Sequence, residues 1–263
     1  MTTDHRKGIA APLDASGKAA LYGPPPWRFA GHSLTVVARC APGGIAELLP
    51  PELEPTDEPL VRFSAHWLQC DLGFGPDFAA AHPERSQFHE AVVGVAASHL
   101  GVPGFFDPFL WCDSDAEIAV GREMYGWPQR YGSIALALPH PMRGRRGGER
   151  LSARVSQPGA PVFDLSVTTE REGPLGIGPA FVRFYTERVL PDPARGLSVR
   201  EVFASDMKDV EIANCWSGPA SLNLDAPELA GLVVEEMIGG QANAVTWIKD
   251  RSTLIARSEI SWP

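Results

Sequence analysis

Proline and glycine interrupt this chain so often that long helices have little room. There are 25 prolines and 26 glycines among 263 residues; each proline removes a backbone donor and each glycine weakens a helix interior. Short strands joined by turns tolerate such punctuation. The clearest pattern lies in residues 60–68, where Val61, Phe63, Ala65 and Trp67 interleave with Arg62, Ser64 and His66. A period of two marks a strand with one apolar and one polar face. Strands are also expected at 33–39, 88–97, 116–121, 132–138, 149–156, 161–169, 181–190, 209–216, 220–225 and 252–260, with helical periodicity only at 43–49 and weakly at 228–238. The pattern predicts a mostly β protein with minor α, its antiparallel strands forming a sandwich or barrel.

Composition narrows the function classes. Hydrophobic residues make up 44% and charged ones 21%, the values of a globular chain. A formal charge of −9 repels phosphate backbones, so no nucleic-acid partner is expected. No apolar run approaches the roughly 18 residues of a membrane span, and residues 1–18 carry no signal-peptide pattern. No membrane association is expected, and the cytoplasm is the expected location. Cys40, Cys70, Cys112 and Cys215 are widely spaced and read as buried free thiols. The seven histidines form no ligand-spaced pair, so neither metal nor cofactor is expected. Residues 1–22 read as a loose lead-in and 23–263 as a single domain. Gly176-Ile177-Gly178 lacks the third glycine of a dinucleotide fingerprint, and Gly31-His32-Ser33-Leu34 lacks the closing glycine of a nucleophile elbow. The run Arg143-Gly144-Arg145-Arg146-Gly147-Gly148 reads as a solvated loop between strands.

Chemistry concentrates in residues 116–131, AEIAVGREMYGWPQRY, read as a strand to Val120 followed by a Gly121–Gly126 bracket and the proline-constrained Trp127-Pro128-Gln129-Arg130. This segment resembles the catalytic segment of the acetoacetate decarboxylase superfamily: GRE, an aromatic, a proline and two lysines. Asp57-Glu58-Pro59-Leu60-Val61-Arg62-Phe63, Trp216-Ser217-Gly218-Pro219 and Pro26-Trp27-Arg28-Phe29 resemble further family motifs in the same order, so the resemblance runs from about residue 24 to 260. It implies a closed or nearly closed antiparallel β-barrel of the acetoacetate decarboxylase-like type, assembled as a homo-oligomer. It also places the Schiff-base lysine and its neighbour at Gln129 and Arg130. An amide nitrogen is delocalised and a guanidinium stays protonated, so neither can form an iminium. By the same spacing an active-site arginine becomes His32 and a carboxylate becomes Ser64, while Glu90 matches a retained glutamate.

Read from the residues, Glu90 stands in the apolar strand FHEAVVGVAA, where it is either desolvated or paired with a cation such as Arg130. Gln129 either holds a carbonyl or carboxylate or is a neutral filler. Arg130 either clamps a carboxylate or enolate or pairs with Glu90 or Glu123. His32, Ser64, Trp111 and Trp127 are candidate substrate-binding residues, with Trp27 a further aromatic; Arg122 and Glu123 read as structural. If the polar face of residues 62–66 looks inward, Arg62, Ser64 and His66 are pocket residues. The expected function is an enzyme working on a keto acid or polyketide-like carbonyl compound, in bacterial secondary metabolism, by non-covalent acid–base chemistry: dehydration, aldol-type reaction, isomerisation or cyclisation. The alternatives are a non-catalytic small-molecule-binding barrel and a decarboxylase that stabilises its enolate directly through Arg130.

Overall fold

The computed structural model describes residues 5–17, 19–176 and 183–262. Its strands are β1 (Trp27–Cys40), β2 (Glu54–Pro55), β3 (Leu60–Cys70), β4 (Gln87–His99), β5 (Val102–Cys112), β6 (Gln129–Tyr131), β7 (Ser133–Leu136) and β8 (Arg150–Gln157). They continue with β9 (Ala160–Thr168), β10 (Arg171–Glu172), β11 (Arg183–Asp192), β12 (Leu197–Gly218), β13 (Ala220–Leu224), β14 (Val234–Lys249) and β15 (Thr253–Ser261). The helices are short: α1 (Pro42–Leu48), α2 (Phe78–Ala81), α3 (Pro83–Ser86) and α4 (Asp115–Val120), the last running into a π-helical turn, Gly121–Tyr125. No helix among the described residues is long and apolar enough to cross a membrane. The fold is mostly β, as expected.

In the large sheet β4, β3, β1, β14, β12, β11 and β5 are hydrogen-bonded in that order, and β5 pairs again with β4, returning the path to its start. A smaller antiparallel sheet has the order β13-β9-β8-β7. The expectation of antiparallel strands holds for most pairs, but β5 runs parallel to both β11 and β6. Adjacent parallel strands need a crossover connection, and between β5 and β6 the segment containing α4 and the π-turn supplies it.

Alternation decides which residues meet. Leu34 and Val36 on β1, Phe63 and Ala65 on β3, and Ala91 and Val93 on β4 pack against Phe163, Leu165 and Val167 of β9 and against Val155 of β8. Phe163 meets Phe63 edge-on at 6.0 Å between centroids and Trp111 at 5.9 Å. The main core therefore lies between the two sheets, outside the ring of strands. The intervening residues of β1, β3 and β4 point the other way, into the ring.

Several local expectations fail for identifiable reasons. Residues 116–121 form a helix, because Ser114 caps it by accepting from the Glu117 backbone N–H (3.4 Å). Gly126, at φ 75°, ends the following π-turn. Residues 228–238 contain only the single turn Pro227–Leu229 before β14 begins. β5 and β14 had no alternating signal: β5 carries two prolines within an apolar run, and β14 carries a Gly239-Gly240 pair. The strand expected at 181–190 is β11 from Arg183 onward; Phe181 and the Gly178 of the rejected fingerprint lie outside the described residues. The basic run does lie between β7 and β8, but Arg145 is buried, donating to the carbonyls of Asn214 and Asn243.

A second cluster, with Trp27, Leu68, Cys70, Cys112, Ala116, Val120 and Tyr125, seats α4 and the π-turn against β1, β3 and β5. Lys249 is buried there at 1% exposure. Its Nζ lies 4.2 Å from the Tyr125 ring centroid and 5.6 Å from that of Trp127, with Ser252 Oγ at 3.2 Å. Burial pushes its pKa down to about 7.

Two stability outcomes follow from this packing. Phe163→Ala should cost about 3–5 kcal/mol in urea unfolding, and a loss below about 1 kcal/mol would mean the inter-sheet core is elsewhere. For Lys249, the unfolded chain holds a proton that the folded one lacks between about 7 and 10.5, so wild-type stability rises with pH across that window. Lys249→Met should accordingly outstabilise wild type most at pH 7 and least at pH 10; a pH-independent difference would contradict a depressed amine.

Candidate active site

The inward faces of the ring strands line a cavity of about 460 Å³. β1 contributes Ser33 and Thr35, β3 contributes Arg62, Ser64 and His66, β4 contributes Glu90 and Val92, and β5 contributes Asp107. Glu117 from α4, Trp127, and Gln241, Asn243 and Trp247 from β14 complete much of the wall. The polar stripe of β3 thus faces inward, and Arg62, Ser64 and His66 are pocket residues.

Glu90 and Gln129 come together as a pair. Gln129 is 1% exposed, and its Nε2 donates to Glu90 Oε2 at 2.6 Å. Its Oε1 is buried without a partner. Gly121 makes this possible, since a Cβ there would stand 1.8 Å from Gln129 Oε1. The glycine of GRE is therefore required by the side chain eight residues on. Arg122 donates to the Gln129 carbonyl (3.3 Å), and Glu123 accepts from the Tyr22 hydroxyl (2.8 Å), so both brace the segment as expected. Burial pushes the Glu90 pKa up to about 7, against the lowering effect of the Gln129 hydrogen bond. Near neutrality Glu90 can therefore either give or take a proton.

Arg62 and Asp107 form a buried ion pair at 2.7 Å, and Arg62 stacks over Phe184 and Phe105 at 4.7 and 5.2 Å. Gly94 leaves the space, because a Cβ there would be 2.5 Å from Arg62 Nε and 2.6 Å from Asp107 Oδ1. Among the described lining residues Arg62 is the one arginine or lysine. His66 has its pKa pushed down to about 3 by burial and by the Arg62 charge, which keeps it neutral. Ser64 continues a hydroxyl chain, Ser33 to Thr35 at 3.2 Å and Thr35 to Ser64 at 3.0 Å.

Four of the candidate residues, Arg130, Trp111, Trp27 and His32, lie elsewhere. Arg130 follows Gln129 on β6 and so points to the opposite face, where it pairs with Glu228 (2.7 Å) rather than Glu90 or Glu123. Its guanidinium also stacks on Trp111 (5.2 Å). Trp111 is fully buried in the inter-sheet core, and Trp27 is fully buried beneath the π-turn. His32 alternates with Ser33 and faces outward, stacked on Trp67 at 5.9 Å with Arg145 Nη2 3.3 Å from its Nδ1. Trp127 does line the cavity, and its indole N–H is buried without an acceptor.

The reading of the sequence missed Asp107 and Glu117. Asp107 had a signal, a lone carboxylate inside the apolar run FFDPF. Glu117 had one too, the Ser114-x-x-Glu117 pattern of a capping box, masked by the apparent alternation of Ala116, Ile118 and Val120. Among the described residues no cluster of three or more His, Cys, Asp or Glu is placed to hold a metal, and all four cysteines are buried and free.

Comparison with known proteins places these features in a family. The acetoacetate decarboxylase (ADC) family model matches residues 10–253. Acetoacetate decarboxylase of Burkholderia cenocepacia (strain HI2424) is 25% identical over 209 residues, covering 78% of this chain and 77% of its own. Among solved structures, the enduracididine biosynthesis enzyme MppR, complexed with the condensation product of pyruvate and imidazole 4-carboxaldehyde, is 25% identical with a TM-score of 0.84, over 97% of this chain and 98% of that one. An acetoacetate decarboxylase-like enzyme from Sphingomonas wittichii RW1 shares the fold at a TM-score of 0.86 and 24% identity, over 95% of this chain and 100% of that one. With a site built on the GRE segment and a family match along most of its length, this chain belongs to the acetoacetate decarboxylase family.

Proposed function

We propose that this protein is an enzyme that moves a proton at the carbon beside a carbonyl, acting non-covalently on a small keto acid or polyketide-like carbonyl compound. Glu90 carries the proton. Gln129 holds one carboxyl oxygen in place, and Arg62 receives a substrate carboxylate. The observation that carries this reading is the hydrogen bond from the buried Gln129 amide to the cavity-lining Glu90: an amide occupies the place where the family resemblance puts the amine nucleophile. A lysine there would hold Glu90 ionised by its charge; a neutral amide leaves both protonation states within reach of neutral pH. An amide can turn its N–H to a carboxylate or its carbonyl to a carboxylic acid, so it serves Glu90 in both states.

Arg62 suits an acidic substrate. A guanidinium can bind a carboxylate through two parallel N–H bonds, and Arg62 is the one arginine or lysine among the described lining residues. The MppR structures, one with pyruvate and one with a pyruvate condensation product, support keto-acid chemistry of aldol, dehydration or cyclisation type, and a role in secondary metabolism. The reading includes closure of the strand ring into a barrel, assembly as a homo-oligomer and a cytoplasmic location. Decarboxylation through Arg130 loses its support, since that guanidinium is engaged with Glu228 outside the cavity.

Pyruvate in D2O tests the proposal, with proton NMR following loss of the methyl signal. The wild-type protein should speed exchange, and Glu90→Gln should slow it by about 10²–10⁴-fold with its fold intact. Borohydride added with pyruvate should leave the protein mass unchanged. A borohydride-trapped adduct would contradict non-covalent chemistry, and pyruvate binding without exchange would make the protein a binder.

A further inference from the structure

We propose that Glu117 is a second proton-carrying group of the cavity, giving its proton to the substrate carbonyl oxygen while Glu90 takes one from the adjacent carbon. The inference rests on the proton-transfer reading above and extends it to a residue that the family motifs do not mark.

Glu117 occupies the third position of α4, where a glutamate following a capping serine commonly reaches back to the serine's own backbone N–H. Here it does not. The Ser114 N–H donates to Cys112 Sγ at 3.4 Å instead, and the Glu117 side chain turns inward to the cavity wall. It is 2% exposed. Its Oε1 is buried without a hydrogen-bond partner, and the Cys70 thiol lies beside it. A capping role is thus abandoned for a buried polar position with an unmet bond, which costs stability unless something fills it. A ligand oxygen in the cavity would do so.

The surroundings set its protonation. Among the described residues the titratable groups beside it are Glu90 on β4, the thiols of Cys70 on β3 and Cys112 on β5, and Tyr125 in the π-turn, none of them a cation; Arg62 and His66 line the same cavity. Burial, together with the Glu90 charge, pushes the Glu117 pKa up to about 8, so it is a carboxylic acid when Glu90 is partly ionised. Two neighbouring carboxyls in such a site share their titration and divide naturally into base and acid.

The step balances without a co-reactant. Glu90 takes a proton from the carbon beside the carbonyl, the C–H electron pair becomes the C=C bond, and the carbonyl oxygen receives the Glu117 proton. The product is the enol, an isomer of the ketone. Reversal returns both protons, and attack of the enol on an aldehyde would begin an aldol reaction.

The test is the pyruvate exchange assay run from pD 5 to 9 on wild type, Glu90→Gln and Glu117→Gln. Wild type should give a bell-shaped profile. Glu117→Gln should lower the maximum by roughly tenfold or more, keep the rising limb set by Glu90, lose the falling limb, and leave the pyruvate concentration for half-saturation within about threefold. A purely structural Glu117 would not remove one limb. If exchange depends on Glu90 but Glu117→Gln keeps both rate and profile, this inference alone is overturned. If wild type does not exchange pyruvate, the proton-transfer reading falls and this inference with it. Should Glu117→Gln fail to fold, infrared spectroscopy of Glu90→Gln decides: a carboxylic-acid C=O band present at pH 6 that disappears by pH 9.5 supports the inference, and its absence at pH 6 overturns it.

Discussion

Strands β1, β3 and β4 have both faces enclosed, one against the four-stranded sheet and the other around the cavity, and the remaining architecture follows from that. A strand buried on one side only would send its polar face to water. Here the apolar faces are consumed by the inter-sheet core around Phe63, Phe163 and Val93, so Arg62, Ser64, His66 and Glu90 are turned into the ring. The cost of placing charges there is offset in specific ways: Arg62 by Asp107, Glu90 by the Gln129 amide, His66 by remaining neutral. The site is the underside of the core's own hydrophobic pattern.

The segment from α4 to β6 then sets what stands beside Glu90. Ser114 starts the helix, Gly126 ends the π-turn, and the short β6 sends Gln129 inward and Arg130 outward. Gly121 removes the Cβ that would collide with the Gln129 amide. The same backbone could present an amine at this place. With an amide there, that position offers neither an amine nor a positive charge, and the two buried carboxyls Glu90 and Glu117 are left able to hold protons near neutral pH.

Much of this was legible in the residues. The period-two alternation at 60–68 located β3, the GRE segment located the turn that carries Gln129, and Glu90 was identifiable as a lone carboxylate in an apolar strand. What the sequence did not reveal was direction. Alternation states that His32 and Ser33 face opposite ways, not which of them faces the cavity, and the apolar side proved to be the outer one. Arg130 followed the same logic: Gln129 turns toward Glu90, so its neighbour on β6 had to point away. Glu117 was hidden because Ala116, Ile118 and Val120 mimic a strand over a stretch too short to tell from a helix. β5 was hidden because a strand buried on both faces, and broken by prolines, has no polar rhythm to read.

The most direct measurement of the central claim is a crystal structure of the protein with pyruvate. The account predicts pyruvate inside the strand ring, its carboxylate on Arg62, its carbonyl and methyl groups within reach of Glu90 and Glu117, and no continuous density to any amine. Pyruvate joined to a lysine, or seated on the outer face beside Arg130 or His32, would contradict it.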